Sequence, residues 1–235
     1  MEKIITPGEI TNKTFLKKTY QGHTIYLFGE GLKYKEFDPN NDFYSISNKS
    51  FFQGLKNQVE ETSALVAFPI SLVMEKSKLY GVVSPYIPGI PLQDIGPQIS
   101  INKLLKQITK LEQEIERLTQ KGWYLDDINS DNIITNNQKD NLVLTIIDTD
   151  FYVRRKKANY EELLKLNRKQ LVSTILSAFA ERIMVSKLIN DKNIHNAYIL
   201  AINGFISASE FIIVLLNRMN RYIEVDTIET FRKSI

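Results

Sequence analysis

Between Gly122 and Asp150 the chain reads GWYLDDINSDNIITNNQKDNLVLTIIDTD, and no other stretch restricts the fold as much. An aspartate, Asp127, is followed five residues later by Asn132, then by an apolar run, a turn over Asn136–Asn141, a second apolar run and Asp148. Two short apolar runs around a polar turn describe a β-hairpin with one covered face. Its ends carry an acid, an amide and an acid. Together these groups can accept a proton from a hydroxyl and offer hard oxygen atoms to a divalent cation. Without that chemistry the same residues are simply a hairpin with acidic ends.

Composition narrows the chemistry by exclusion. The 235 residues suffice for one large domain or two small lobes sharing a cleft, and 43% hydrophobic with 24% charged residues is ordinary for a globular chain. No cysteine is present, so a disulfide framework, a thiolate nucleophile and a cysteine-ligated zinc are excluded. Two histidines, His23 and His195, are too few to argue a histidine metal centre or a Ser-His-Asp triad. The formal charge of +3 is small, and the densest basic cluster, Arg154-Arg155-Lys156-Lys157, reads as a solvated loop, so no nucleic-acid partner is expected. No signal-peptide pattern opens the chain, and the longest apolar run, Phe211–Leu216, is too short to span a bilayer. The expectation is a cytoplasmic protein with no membrane partner.

Read in order, the first dozen residues show little periodicity and predict an irregular lead-in. Strands are predicted at Thr14–Tyr20, Thr24–Phe28 and Leu32–Phe37, the last two joined by a tight turn at Gly29-Glu30-Gly31. In the third, Lys33, Lys35 and Phe37 share one face. A helix follows over Lys49–Thr62, capped by Ser47 or Asn48, and then strands at Phe68–Met74 and Lys78–Tyr86. The Pro-Gly-rich Ser84–Leu92 segment suits a rigid connector. Ile101–Gln120 is helical by its apolar spacing, and Gly122 stands at its C-cap. Beyond the hairpin, helices are predicted at Tyr160–Leu188, Asn193–Ile206, Ala208–Asn220 and Thr227–Ser234, with apolar stripes that belong to a core.

The segment Gly122-Trp123-Tyr124-Leu125-Asp126-Asp127-Ile128-Asn129-Ser130-Asp131-Asn132-Ile133-Ile134 runs without a gap beside Gly-Ile-x-His-Arg-Asp-Leu-x-Pro-x-Asn-Ile-Leu. It resembles the catalytic loop of the protein kinase-like superfamily, and Ile147-Asp148-Thr149-Asp150-Phe151 resembles its metal-binding strand. The resemblance implies an α+β, two-lobed protein kinase-like fold with a small antiparallel-sheet N-lobe over residues 1–86, a hinge at 87–92 and a mainly helical C-lobe at 93–235. It covers about residues 14–151 motif by motif, and the later residues by helical content alone.

By that resemblance ATP and Mg2+ are the cofactors, and a hydroxyl of a protein or small molecule is the acceptor. Asp127 would be the catalytic base, with Asn132 and Asp148 as metal ligands. Asp150 would be either a second metal ligand or a cap, since an acid two residues after the metal aspartate is similar to aminoglycoside and choline kinase relatives. Lys35 would touch the phosphates, with Lys33 as a competitor; Glu60 would pair with that lysine, with Glu61 as fallback. Tyr86 and Ile87 would meet adenine through their backbone, with Pro85 in place of the usual acid. Gly22 stands where the phosphate-covering loop belongs, although alone it is a turn glycine.

The departures bear on activity. Leu125-Asp126 replaces His-Arg, Asn129 stands in place of a phosphate-neutralising lysine or histidine, and no Ala-Pro-Glu segment follows Phe151. The implied activity is transfer of the ATP γ phosphate to a hydroxyl. The alternative is a pseudokinase acting as a nucleotide- or protein-binding regulatory module. Nucleotidyl transfer and a pure interaction scaffold stand behind these two.

Overall fold

The computed structural model describes residues 4–19, 22–38, 40–138, 141–179, 191–219 and 226–234. The chain divides into two compact units: Met1–Ile87 with Ile147–Arg154, and Pro88–Ile146 with Arg155–Ile235. The first unit is therefore discontinuous in sequence.

The first unit is built on a sheet of six strands. They are β1 (Ile4–Ile5), β2 (Thr14–Lys18), β3 (Thr24–Phe28), β4 (Leu32–Glu36), β5 (Ser71–Glu75) and β6 (Lys78–Pro85), in the order β1-β5-β6-β4-β3-β2. All neighbours are antiparallel except β1, which pairs parallel with β5 through Ile4 opposite Leu72 and Ile5 opposite Val73. The expected irregular lead-in is thus a short strand and a 3-10 turn at Pro7–Glu9, fixed by burial of Ile5 and Ile10. Helix α1 (Lys49–Val59) starts at Asn48, whose side chain accepts from the Phe51 N–H at 3.2 Å.

Both faces of the sheet are covered. Phe37, Leu72, Leu79 and Val82 pack with Tyr44, Phe51 and Leu55 on the α1 side, while Tyr34, Val73 and Val83 pack with Ile5 and Ile10 on the other. The alternation read in β4 decides this: Tyr34 enters one layer, and Lys33, Lys35 and Phe37 enter the other. Gly81 of β6 permits the close β4–β6 approach, since its φ is +154° and a Cβ there would lie 2.1 Å from the Lys35 carbonyl oxygen. Strand β5 begins at Ser71 rather than Phe68, because Pro69 has no N–H for the ladder and the first donor is Ile70, to the Val83 carbonyl at 2.8 Å. Tyr20 of the expected second strand lies outside the described residues.

The second unit is organised by α2 (Ile101–Gln120), whose bounds match the sequence expectation and whose Ile101, Leu104, Ile108, Leu111, Ile115 and Leu118 are buried. Strands β7 (Ile90–Pro91), β8 (Trp123–Tyr124), β9 (Ile133–Gln138) and β10 (Asn141–Ile146) belong to this unit, and β10-β9-β7 form a sheet. The hairpin is tighter than expected, with Gln138 opposite Asn141, and its turn residues 139–140 lie outside the described residues. Gly89 before β7 has φ +149°, and a Cβ there would meet the Thr135 carbonyl oxygen at 2.3 Å. Strand β11 (Val153–Arg154) closes the late segment of the first unit.

Helices α3 (Tyr160–Phe179), α4 (Lys192–Ile202), α5 (Ala208–Met219) and α6 (Ile228–Ser234) complete the second unit. Residues 180–188 of the expected third helix, and Asn220, lie outside the described residues. The expected Asn193–Ile206 helix ends at Ile202 with Asn203 as its cap. No helix among the described residues is long and apolar enough to cross a membrane.

Candidate functional site

The chemistry of the first unit gathers on Lys35. Its Nζ lies 2.6 Å from Asp148 Oδ1 and 2.6 Å from Asp150 Oδ2. Lys35 and Asp150 are buried, while Asp148 keeps 30% of its side chain exposed and is the member open to solvent. Burial opposes the Lys35 charge, but Asp150 and Asp148 together outweigh it and hold the ammonium above its ordinary range. Burial also opposes charge on Asp148, yet Lys35 and its hydrogen bond hold that carboxyl below the usual carboxylate range. Asp150 goes the other way: burial pushes it up, Lys35 opposes, and Asp148 adds to the rise.

Asp148 sits in the left-handed backbone region with φ +59°. The other described non-glycine residues with positive φ are Asn12, Lys76, Ser77 and Asp127, of which Lys76 and Ser77 make the β5–β6 turn. An L residue held in this region costs about 1–2 kcal/mol, so the neighbours must fix it. For the Asp148 segment, α1 supplies that hold. Gln58, fully buried, donates Nε2 to the Tyr152 carbonyl at 3.0 Å and accepts from Thr149 Oγ1 at 2.7 Å.

The expected pairing of Lys35 with a glutamate of this helix is corrected here. Among the described residues Lys35 forms ion pairs with Asp148 and Asp150. Helix α1 ends at Val59, so Glu60 is its exposed C-cap residue and Glu61 follows beyond it. Position 58 points inward, and glutamine occupies it. Gly22 has φ +86° and donates its N–H to the Thr19 carbonyl at 3.0 Å, as a turn glycine does. The Tyr86 N–H donates to the Gly31 carbonyl at 2.8 Å, and Ile87 follows, half-buried.

The second unit holds Asp127 and Asn132 in one braced loop. Asp127 is exposed with φ +64°. Asn129 Nδ2 donates to Asp127 Oδ1 at 3.0 Å, and Asn129 Oδ1 accepts from the N–H groups of Asp131 at 3.1 Å and Asn132 at 3.0 Å. Asn132 Nδ2 donates to the Asp127 carbonyl at 3.1 Å, which leaves its Oδ1 as an oxygen donor for a cation. Asp126, in place of arginine, accepts from the Asp127 N–H at 3.1 Å and from Gln170 Nε2 at 3.0 Å.

Sequence reasoning missed the residues that anchor this loop. Asn167 of α3, fully buried, accepts from the Leu125 N–H at 2.9 Å and donates to Trp123 carbonyl at 2.8 Å and Thr119 Oγ1 at 2.9 Å. Thr174 Oγ1 donates to the Ile128 carbonyl at 2.5 Å. Asn167, Gln170 and Thr174 fall at steps of three and four among Leu163, Leu164, Leu171 and Ile175, a polar stripe inside an apolar helix. That stripe was the available signal.

The carboxylates suit a hard divalent cation. Asp150 Oδ2 is buried against the Lys35 ammonium at 2.6 Å, while Asp148 offers the more exposed carboxylate. Among the described residues no cluster of three or more acidic, histidine or cysteine side chains could hold a metal by itself. Magnesium is commonly held by one or two carboxylates with the remaining ligands from water and substrate phosphate.

No known family profile matches the sequence, and no curated protein matches it. Solved structures do match. The kinase domain of PknI from Mycobacterium tuberculosis, a double mutant, superposes with a TM-score of 0.58 at 11% identity, covering 96% of this chain and 94% of that one. The apo structure of a pseudokinase matches with a TM-score of 0.56 at 11% identity, covering 80% and 76% respectively. The chain therefore has a protein kinase-like fold, α+β, with a sheet-based N-terminal unit and a mainly helical C-terminal one.

Proposed function

We propose that the chain binds ATP with Mg2+ and transfers the γ phosphate to a hydroxyl of a protein or small-molecule acceptor. The observation that carries this reading is the pair of aspartates, Asp148 and Asp127, held in left-handed backbone at the two places where the motifs need them. Strain maintained by surrounding hydrogen bonds at such residues is characteristic of functional sites. Asp148, with Asp150, would hold the cation, which when bound neutralises the phosphates. Asp127 would take the proton of the acceptor hydroxyl as its oxygen bonds to phosphorus and the bond to the β phosphate breaks, releasing ADP. The Tyr86 carbonyl and the Ile87 backbone would meet adenine. Gly22 would cover phosphate only as a single flexible point.

A second reading, a nucleotide-binding pseudokinase, is favoured by one observation: Lys35 is already neutralised by both carboxylates that a cation would need. One structural neighbour is itself a pseudokinase, in agreement with this reading. Thermal unfolding with ATP, with and without Mg2+, on wild type and Asp148→Asn tests binding. Mass spectrometry of acceptor mixtures and of the chain itself, with Asp127→Asn as control, tests transfer. A magnesium-dependent shift without transfer supports the second reading, and no shift at millimolar ATP removes both.

A further inference from the structure

Strand β2 ends the six-stranded sheet, and β3 is its one ladder neighbour among the described residues. An antiparallel strand turns half of its N–H and C=O groups to each side, so an end strand presents the outer half unpaired. All five residues of β2, Thr14-Phe15-Leu16-Lys17-Lys18, are exposed. Phe15 is 60% exposed and Leu16 38%, so the open edge carries apolar surface as well as free backbone groups. The Phe15 ring stands edge-on to Tyr26 with centroids 6.3 Å apart, which fixes it beside that edge.

The charge of this edge has one sign. Lys13, just before the strand, is answered by Glu36 at 3.3 Å and lies over the Tyr26 ring at 4.1 Å. Lys17 and Lys18 form no ion pair among the described residues, and their ladder partners in β3 are Ile25 and Thr24. Lys18 shares the face of Phe15 and Tyr26, while Lys17 lies on the opposite face, so the two lysines flank the edge. Lysines and a bulge, here between Phe15 and Lys17, are the usual guards of a free edge against indiscriminate pairing. These guards select a partner. A second copy would bring more lysines to a strand that has no acid, and like charges side by side oppose that pairing. A strand bearing carboxylates meets the opposite case, since it neutralises both lysines while its apolar side chains cover Phe15 and Leu16.

We propose that the outer edge of β2 receives an acidic, extended segment of a partner protein as a further strand of the sheet, with carboxylates beside Lys17 and Lys18 and an apolar side chain beside Phe15. Main-chain hydrogen bonds supply the attachment, and the lysines with Phe15 supply the choice of partner. The inference makes no use of the nucleotide reading and stands whether or not the chain transfers phosphate.

Binding of labelled peptides to the full chain is followed by fluorescence anisotropy. The acidic peptides are Ser-Glu-Glu-Val-Ile-Val-Ser and its reversed sequence, which allow either strand direction. Their controls carry lysine in place of both glutamates, or proline in place of isoleucine, which removes a ladder N–H. Wild type should bind the better acidic peptide about 5- to 30-fold more tightly than its lysine control, with slowed hydrogen exchange in β2. The double variant Lys17→Glu with Lys18→Glu, at exposed positions, should invert that preference, and a gain of binding to the lysine peptide also shows that the variant is folded. The proline peptide should lose most of the binding. No binding of either acidic peptide by wild type, or an unchanged preference in the double variant, overturns the inference. Equal binding of the proline peptide also overturns it, because charge attraction then acts without strand pairing. Concentration-dependent dimerisation that protects the β2 amides gives the edge to a second copy and overturns it as well.

Discussion

The hydroxyl of Thr149 donates to the side-chain carbonyl of Gln58 across 2.7 Å, and both residues are buried. With the second bond from Gln58 to the Tyr152 carbonyl, a neutral amide fastens α1 to the segment that carries Asp148. Replacement by leucine leaves a buried hydroxyl and a buried carbonyl without this partner, at about 1–3 kcal/mol for each unsatisfied group. Urea unfolding of Gln58→Leu should show a clear loss of stability. Gln58→Glu should also lose stability, because a carboxylate cannot donate to Tyr152. Because the link is uncharged, the effect of Gln58→Leu should be nearly the same in about 50 mM and about 500 mM salt, which differ in screening length.

Lys35 holds two acids at once. Lys35→Met strands both, and breaking a buried pair in this way costs about 3–5 kcal/mol. The double variant Lys35→Met with Asp150→Asn should therefore be more stable than Lys35→Met alone. Equal unfolding midpoints for the two would show that Asp150 is not a partner of Lys35 in solution.

His23 is buried edge-on against Tyr44 and Phe37, with ring centroids 4.3 and 5.2 Å away. Burial, and then the Lys35 charge, lower its pKa below 6.5, while Asp148 opposes. An imidazole whose folded pKa is depressed binds protons more readily in the unfolded chain. Stability is full above pH 6.5 and declines as pH falls toward the lower folded pKa. His23→Phe should flatten the stability profile between about pH 7 and 5. A profile identical to wild type in that window would count against the burial of a neutral imidazole.

Asn167 is the fixed point of the Asp127 loop in the second unit. Asn167→Leu leaves the Leu125 N–H and the Trp123 carbonyl without their partner, costing about 2–4 kcal/mol in all. If transfer is observed, this variant should lose activity more steeply than ATP affinity, because the loop it anchors carries Asp127, the proposed base. Hydrogen exchange at Leu125 gives an activity-independent readout, and its amide should lose protection in the variant.

Much of the fold was legible because local signals agree with it. The β3–β4 hairpin has left-handed glycines at 29 and 31 and was readable to within one residue, since β4 ends at Glu36 and not Phe37; α2 has six apolar residues at helical spacing and was readable to the residue. Strand β1 was not, since two residues are too short for a pattern and exist as a strand only through β5. The acids and amides of the candidate site were visible as a spacing, but their partners were not. Gln58 looks like any helix glutamine until α1 is docked, and Asn167 gains its meaning from Leu125, 42 residues earlier. A linear division into lobes likewise could not express that Ile147–Arg154 belongs with the first unit.

That late segment bears on how the protein is made. A ribosome releases the sheet strands of the first unit well before it reaches Ile147, since the whole Pro88–Ile146 stretch lies between. At synthesis rates of about 5–20 residues per second, the delay is several seconds. During it the Lys35 ammonium has no acid to enter the sheet with, and Gln58 has nothing to tie. The nascent N-terminal portion should therefore stay open to chaperones until the aspartates emerge. A fragment ending at Ile87 should be proteolytically fragile, and a peptide spanning 147–154 supplied in trans should protect it.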